Sequence, residues 1–295
     1  MVLTQPVFKA LKKLNFHTTL ITKKKMHPVV RNNKDIDRIV FIEDIDDKFI
    51  SDFHTDYLVD LQMNVSSQTI YRQMKTIRKK VIRKYYFKRW LFVNTRLYLK
   101  YPDVITRYRD AVEQTAKIKL DLEKLEFSPA PAADINVKEP YVTLSLISKW
   151  KTKSYPYALE LVDLILNNTD FNIVILGEND LEISSERVIN IKEDFPIDKS
   201  AFIIRNSRLM VTVDSLWMHI SIGMKIPTIA IFGATSSRLG FVSRYNKPDI
   251  IMEKFLFCRP CTAIGNDICP VMNFQCMKSI KPEEVFKIIR NECNS

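Results

Sequence analysis

Glycine is scarce, with five residues in 295. That count argues against the multi-glycine loops that wrap phosphates in many nucleotide folds. No apolar run approaches the roughly 18 residues of a membrane-spanning helix. The opening stretch MVLTQPVFKALKK has neither a long apolar core nor a small-residue cleavage site, so it does not read as a secretory signal. Five cysteines make no disulfide framework and point to a reducing, cytosolic home. Acidic residues are absent from Tyr71 to Lys100, where eleven lysines and arginines lie. The rest of the chain balances, 34 basic against 34 acidic, so this one segment carries the whole net charge of +11.

What is present is globular: 46% hydrophobic and 27% charged residues. Tyr71, Tyr85, Tyr86, Phe87, Trp90, Phe92 and Tyr98 interleave with the basic cluster. Such a segment suits an anionic partner (nucleic acid, acidic lipid head groups or a phosphorylated glycan) or is a solvated helix face whose aromatics pack inward. Its periodicity reads as helical from Gln68 to about Tyr101, and Val104 to Lys124 reads as mostly helical.

Elsewhere strands and helices alternate. Val7, Leu11 and Leu14 share a helical face. His17–Thr22, Ile39–Ile42 and Tyr57–Leu61 read as strands. SPAPAAD, Ser128 to Asp134, reads as a linker. After it come strands at Tyr141–Leu146, Phe171–Leu176, Arg187–Ile191, Leu209–Val213 and Thr228–Phe232. Helices are expected at Tyr157–Leu166 (Leu159, Val162 and Leu166 on one side), Ala201–Asn206, Met218–Met224 and Pro282–Glu292. The alternation predicts an α/β fold of two Rossmann-like, doubly wound parallel-sheet domains: 1–127, a linker 128–140, and 141–295. Ligands of such sheets sit at strand carboxyl ends.

Three strand ends stand out. Asp214-Ser215-Leu216-Trp217-Met218-His219 follows LMVTV, where the backbone N–H groups of a new helix suit phosphate, or where Asp214 or Ser215 simply caps the helix. Lys149 to Pro156 follows YVTLSL, and its lysines can neutralise a diphosphate or lie in an exposed loop. Gly177 to Glu182 follows FNIVIL, either a ribose-binding carboxylate turn or a plain acidic one. Cys258, Cys261, Cys269 and Cys276 have the number of thiolates for a tetrahedral metal site, but not its paired spacing. No histidine motif supports a catalytic cysteine.

Together these features resemble glycosyltransferase family 9, the ADP-heptose:lipopolysaccharide heptosyltransferases of GT-B fold. The resemblance rests on VTVDSLWMHISIGMKIPTIAIFG, on KTKSYP, and on CRPC…CP…C-M-x-x-I-x-P-E-x-V, spanning about Tyr141 to Phe286. It implies that Lys153 contacts the donor's diphosphate, that Asp214 and Ser215 lie beside the donor, and that His219 is the histidine of that motif. Glu182 would be the ribose carboxylate. Leu216 stands where the family has glycine, and Tyr155 where it has tryptophan. The opening MVLTQPVFKALKK is similar to the start of the family's acceptor domain, which puts Thr4 and Gln5 on the acceptor side. Aligned so, the general-base Asp falls immediately before Met1, together with the first strand, and the chain reads as starting at an internal methionine. Asp60 is then a weak substitute base, more readily a structural strand-end carboxylate.

The resemblance implies inverting transfer of heptose from an ADP-sugar to the anionic inner core of lipopolysaccharide or lipooligosaccharide. It implies no cofactor and no metal, since lysine and helix N-termini can hold the leaving diphosphate. The enzyme would be cytoplasmic and peripheral to the inner membrane, meeting it through segment 71–100, with no nucleic-acid partner. The alternatives are a truncated or inactive relative that only binds nucleotide sugar or glycan, and a GT-B transferase with another donor.

Overall fold

The computed structural model describes residues 1–133, 135–177, 179–191 and 195–294. The chain divides into two compact units: Met1–Tyr85 with Tyr101–Leu125 and Ser243–Tyr245, and Tyr86–Lys100 with Glu126–Val242 and Asn246–Ser295.

The first unit runs α1 (Gln5–Lys13), β1 (Thr19–Thr22), α2 (His27–Val30), β2 (Arg38–Phe41), α3 (Asp47–Asp52), β3 (Thr55–Asp60), α4 (Val65–Gln73) and β4 (Thr76–Val81). The chain then forms α5 (Tyr86–Thr95), which belongs to the second unit, and returns as α6 (Val104–Ala116). The first unit's strands form two separate parallel pairs, β1 with β2 and β3 with β4. Val7 and Ala10 of α1 pack with Val112 of α6 and with Leu120. Leu14 falls outside this core and is exposed, because it is the C-cap of α1 rather than part of its last buried turn.

The long helix expected over 68–101 is broken in two by a strand. α4 ends where Met74 donates its backbone N–H to Ile70, and Thr76–Val81 then pairs with β3, Tyr57 opposite Arg78 and Asp60 opposite Val81. The basic residues mimic helical spacing, but Thr76, Ile77 and Val81 are β-branched and favour the pleat. Among the described residues β4 has no second strand partner, and Arg78, Lys79 and Lys80 are exposed along it. Charge on an edge strand discourages pairing with another chain.

The second unit is built on β5 (Tyr141–Ser145), α7 (Ala158–Asn168), β6 (Asn172–Leu176), β7 (Val188–Ile191), α8 (Ile197–Arg205), β8 (Met210–Val213), α9 (Leu216–Gly223), β9 (Thr228–Phe232) and β10 (Ile250–Glu253). The short α10 (Gln275–Lys278) and α11 (Pro282–Asn294) close it. Its six strands are all parallel, in the order β10-β9-β8-β5-β6-β7. Every residue of β5, β8 and β9 is buried, the pattern of a sheet covered on both faces. β10 is the one strand of this sheet that the sequence reading did not anticipate; its four residues are only half-buried.

The buried face of α7 is Ala158, Leu161, Val162 and Ile165, a spacing of three, four and seven. Leu159, expected on the inner face, is exposed. Arg187 closes the helix's C-terminus, donating to the carbonyls of Leu166 at 2.8 Å, Thr169 at 2.6 Å and Phe171 at 2.5 Å. α11 opens on Pro282, whose fixed φ suits a helix start, and packs against α7. Ile165→Ala should cost about 2–5 kcal/mol as a lowered urea midpoint, because its site is fully closed. Leu159→Ala, on the same helix, should stay within about 0.5 kcal/mol.

Candidate functional site

The order β7-β6-β5-β8-β9-β10 is the 3-2-1-4-5-6 sequence of a dinucleotide-binding sheet, whose direction of winding reverses between β5 and β8. Two loops leave the sheet there, and both had been singled out from the sequence.

The loop after β5 contains a 3-10 turn, Lys151–Lys153. The loop after β8 is Asp214-Ser215, leading into α9. The structure brings their charges together: Lys153 Nζ lies 3.2 Å from Asp214 Oδ2, and each side chain is only 12% exposed. The same carboxylate oxygen accepts a hydrogen bond from Thr235 Oγ1 at 2.8 Å. Ser215 is the N-cap of α9. Its Oγ accepts from the backbone N–H of Trp217 at 3.2 Å and lies 3.1 Å from Thr212 Oγ1. A lysine, a carboxylate that orients it, and a helix N-terminus therefore meet at the reversal point of the sheet.

His219 is buried on α9, one turn further on. Its Nδ1 lies 3.1 Å from Asn246 Nδ2, and that same amide nitrogen donates to the Phe241 carbonyl at 2.7 Å, which fixes the amide's orientation. An amide NH2 only donates, so Nδ1 accepts and the ring proton is assigned to Nε2. Burial pushes the imidazole pKa down to about 4, with Asp214 opposing the shift.

Residues that the sequence reading did not single out hold the lysine loop. Thr152 is buried and interlocks with the segment carrying the cysteines. Its backbone N–H donates to Asn266 O at 3.0 Å, its Oγ1 donates to the same oxygen at 2.5 Å, and Asn266 N donates back to Oγ1 at 3.0 Å. Gly265, at φ +109°, lies under Trp150 and Lys153. A Cβ there would come within 2.5 Å of Trp150 Cδ1 and 2.8 Å of Lys153 Cδ. Arg259 is buried and donates to the carbonyls of Gly233, Phe232 and Thr235 and to Glu253 Oε1, tying down the loop after β9. Gly265 was not marked by the sequence; Thr152 and Arg259 lie inside KTKSYP and CRPC, but nothing in those motifs distinguished them as bracing residues.

Other expected residues are not drawn into this cluster. Glu182 is exposed between β6 and β7, a segment ordered by reciprocal hydrogen bonds between Asn179 and Asn190. Glu178, in the same acidic turn, and Asp134, in the expected linker, lie outside the described residues. Tyr155 is buried in the core of the second unit and donates to Ile280 O at 2.9 Å. In the first unit, Thr4 and Gln5 are buried at the start of α1, with Thr4 Oγ1 donating to Met1 O at 2.6 Å. Asp60 has both oxygens engaged: Oδ1 accepts from the N–H groups of Gln62 and Met63, each at 2.8 Å, and Oδ2 from Ser67 Oγ at 2.9 Å. It closes the turn from β3 into α4. The cysteines are free thiols, Cys269 and Cys276 buried. Among the described residues no three metal-ligating side chains converge.

Residues 51–268 match the model of glycosyltransferase family 9 (heptosyltransferase). The chain belongs to this family. A lipooligosaccharide heptosyltransferase 2 from Campylobacter jejuni subsp. jejuni serotype O:6 is 39% identical over 83 residues, 28% of this chain and 25% of that protein. The chain thus matches about a quarter of the length of this curated relative. Among solved structures, a family 9 glycosyl transferase from Veillonella parvula superimposes with a TM-score of 0.71 at 16% identity, over 99% of this chain and 93% of that one. The E. coli ADP-heptose lps heptosyltransferase II also gives 0.71, at 14% identity over 99% and 95%. E. coli heptosyltransferase WaaC with ADP-2-deoxy-2-fluoro heptose gives 0.66, at 13% over 98% and 95%. The fold class of the family 9 chain is accordingly α/β, GT-B.

The buried histidine sets a pH dependence. The folded state resists protonation down to about pH 4, whereas an unfolded histidine binds its proton near 6.5. The unfolded state therefore gains protons first as pH falls, and stability drops between about pH 6.5 and 4, by about 3 kcal/mol at most. Urea midpoints across that window should show the drop, and His219→Asn should flatten it.

Proposed function

We propose that this family 9 chain transfers heptose from ADP-heptose, with inversion, to the anionic inner core of lipopolysaccharide or lipooligosaccharide, the donor held by the second unit and the acceptor by the first. The observation that carries the reading is the Lys153–Asp214 pair beside the N-terminus of α9, at the reversal point of the sheet. Support comes from the names of the relatives, a lipooligosaccharide heptosyltransferase and an ADP-heptose lps heptosyltransferase.

The chemistry follows from charge. As an acceptor hydroxyl attacks the anomeric carbon, the bond from that carbon to the diphosphate oxygen breaks, and negative charge grows on the leaving ADP. An ammonium fixed by a carboxylate, together with the N-terminus of a helix, is preorganised to meet that charge. Asp214 keeps Lys153 aimed across the strand ends, Thr235 steadies Asp214, and Ser215 fixes where the helix begins. His219 stays neutral at physiological pH, so it adds no charge beside the diphosphate. Glu182 remains the candidate for the ribose hydroxyls. Thr4 and Gln5 are the candidates on the acceptor side. No helix among the described residues is long and apolar enough to cross a membrane; the proposal places the enzyme in the cytoplasm, at the surface of the inner membrane.

A second reading is a relative that binds nucleotide sugar without transferring it. Two observations favour it: Asp60 has its oxygens committed to the β3–α4 turn, and Leu216 occupies the first position of α9 where the family motif has glycine.

Calorimetric titration with ADP, UDP and GDP tests the donor assignment. Selective ADP binding is expected. Lys153→Ala should weaken it about 10- to 100-fold, the loss of one or two charge-assisted contacts. Asp214→Ala should also weaken it, by releasing the lysine. Unchanged ADP affinity in both variants would overturn the site. ADP binding without release of ADP from ADP-heptose in the presence of acceptor would select the second reading.

A further inference from the structure

α5 is held to the second unit by arginine contacts around it as well as by its buried Phe92. Arg96 donates from Nε to Phe257 O at 3.1 Å and from Nη2 to Cys258 O at 2.9 Å. The Arg89 guanidinium lies over the Phe241 ring at 5.7 Å, and that of Arg238 over Tyr98 at 5.7 Å. Phe92 is the helix's buried aromatic. Tyr86, Phe87 and Trp90, at spacings of three and four residues, are left on the outer face. Phe87 and Trp90 stack with centroids 6.3 Å apart and are 69% and 57% exposed.

The Arg96 hydrogen bonds place a second apolar element beside α5, the loop after β10. Phe255 is 98% exposed and Phe257 81%. Two phenylalanines this open gain nothing from the fold that carries them. Contiguous exposed apolar side chains mark an interaction surface. Along α5 the charge is of one sign: Lys88, Arg89, Arg96 and Lys100 accompany the helix, with no acidic residue between Tyr86 and Lys100; Arg96 is turned to the fold, and beside the loop Lys254 is paired with Glu284 at 2.9 Å. Tryptophan and tyrosine bordered by lysine and arginine match the interfacial layer of a bilayer, where the rings enter the head-group region and the cations meet anionic lipid. A protein partner of acidic surface would account for the cations but would not require phenylalanines standing open at a loop tip.

We infer that the outer face of α5 and the Phe255–Phe257 loop form one docking surface for an anionic lipid bilayer, with Trp90, Phe87, Phe255 and Phe257 entering the head-group region. This deepens, and rests on, the membrane-surface part of the reading above. It also relocates that contact. The exposed cations of β4 lie in the other unit, and the apolar insertion is assigned to the second unit alone.

Co-sedimentation of the full chain with vesicles tests it, using phosphatidylcholine alone and phosphatidylcholine mixed with phosphatidylglycerol, while calorimetry follows ADP binding in parallel. Partitioning should be at least about tenfold stronger to the mixed vesicles and should weaken with salt. Phe255→Ser with Phe257→Ser, and separately Phe87→Ser with Trp90→Ser, should each reduce it about tenfold or more with ADP affinity unchanged. Brominated lipid should quench tryptophan fluorescence in the parent chain, and Trp90→Phe should remove that quenching. Equal binding to both vesicle types, binding indifferent to the four aromatics, or quenching that survives Trp90→Phe would overturn the inference. So would tighter binding to a single-stranded RNA oligonucleotide that the same substitutions abolish. Loss of ADP binding in the parent chain would count against the donor assignment and leave the vesicle result standing.

Discussion

The parallel pairing of β5 with β8 is the constraint on which the candidate site of the second unit depends. Thr143 lies opposite Met210 and Ser145 opposite Thr212, so the two strands end together. Their following loops must then leave from the same edge and diverge to opposite faces of the sheet. Lys153 and Asp214 are 61 positions apart in sequence and meet at 3.2 Å only because this register is kept. An ammonium and a carboxylate that are mostly shielded from solvent each cost desolvation energy, which their pairing offsets. Their pairing therefore enforces the geometry that creates it, and a third group, the hydroxyl of Thr235, brings in the loop after β9 as well.

That arrangement would be loose without the long irregular segment between β10 and α10. The lysine loop is only a single 3-10 turn, with no helix to stiffen it. Its rigidity comes from Thr152, whose backbone and hydroxyl interlock with Asn266, and from Gly265, which lets the backbone pass close under Trp150 and Lys153. Arg259 does the same for the loop after β9 by collecting its carbonyl oxygens. Three of the four clustered cysteines sit in this brace, and Cys276 opens into the core with Met277 and Ile280. Their burial raises the Cys261 thiol to about 11 and also pushes Cys276 up, so both remain protonated packing groups at neutral pH.

How much of this was legible depended on whether the information was local. The central strands of the second unit were readable because each is a short, buried run bounded by polar residues, as for TIAIF, whereas the half-buried edge strand β10 was not. Their ends are where a parallel sheet presents its ligand-facing loops, and the Lys153–Asp214 pair lies at one such edge. The 68–101 segment misled because lysine and arginine dominate its periodicity, whereas its conformation is set by β3, which pairs with Thr76–Val81 through backbone groups that no side-chain pattern reveals. Leu159 misled for a related reason: it fits a helical stripe offset by one position from the one that meets the sheet. The bracing residues were illegible because their roles are defined by partners distant in sequence, 114 positions for Thr152 and Asn266 and 24 to 27 for Arg259 and the carbonyls it collects.

Asp60 shows how the same logic limits a catalytic assignment. A strand-end carboxylate in an α/β unit is well placed for a ligand, and its position at the close of β3 is that of a functional residue. Its oxygens, however, accept two backbone N–H groups and a serine hydroxyl, and this network holds Met63 at φ +51° and the capping box of α4. Taking up a proton would weaken acceptors on which that turn depends, so the residue is committed to the turn. In the second unit the opposite holds. Lys153 has donors beyond the one directed at Asp214, and α9 begins with N–H groups that its own carbonyls cannot reach. The surplus of hydrogen-bond donors therefore lies at the β5–β8 edge, where a diphosphate would use it, and the surplus of exposed aromatic surface lies on α5 and the Phe255–Phe257 loop.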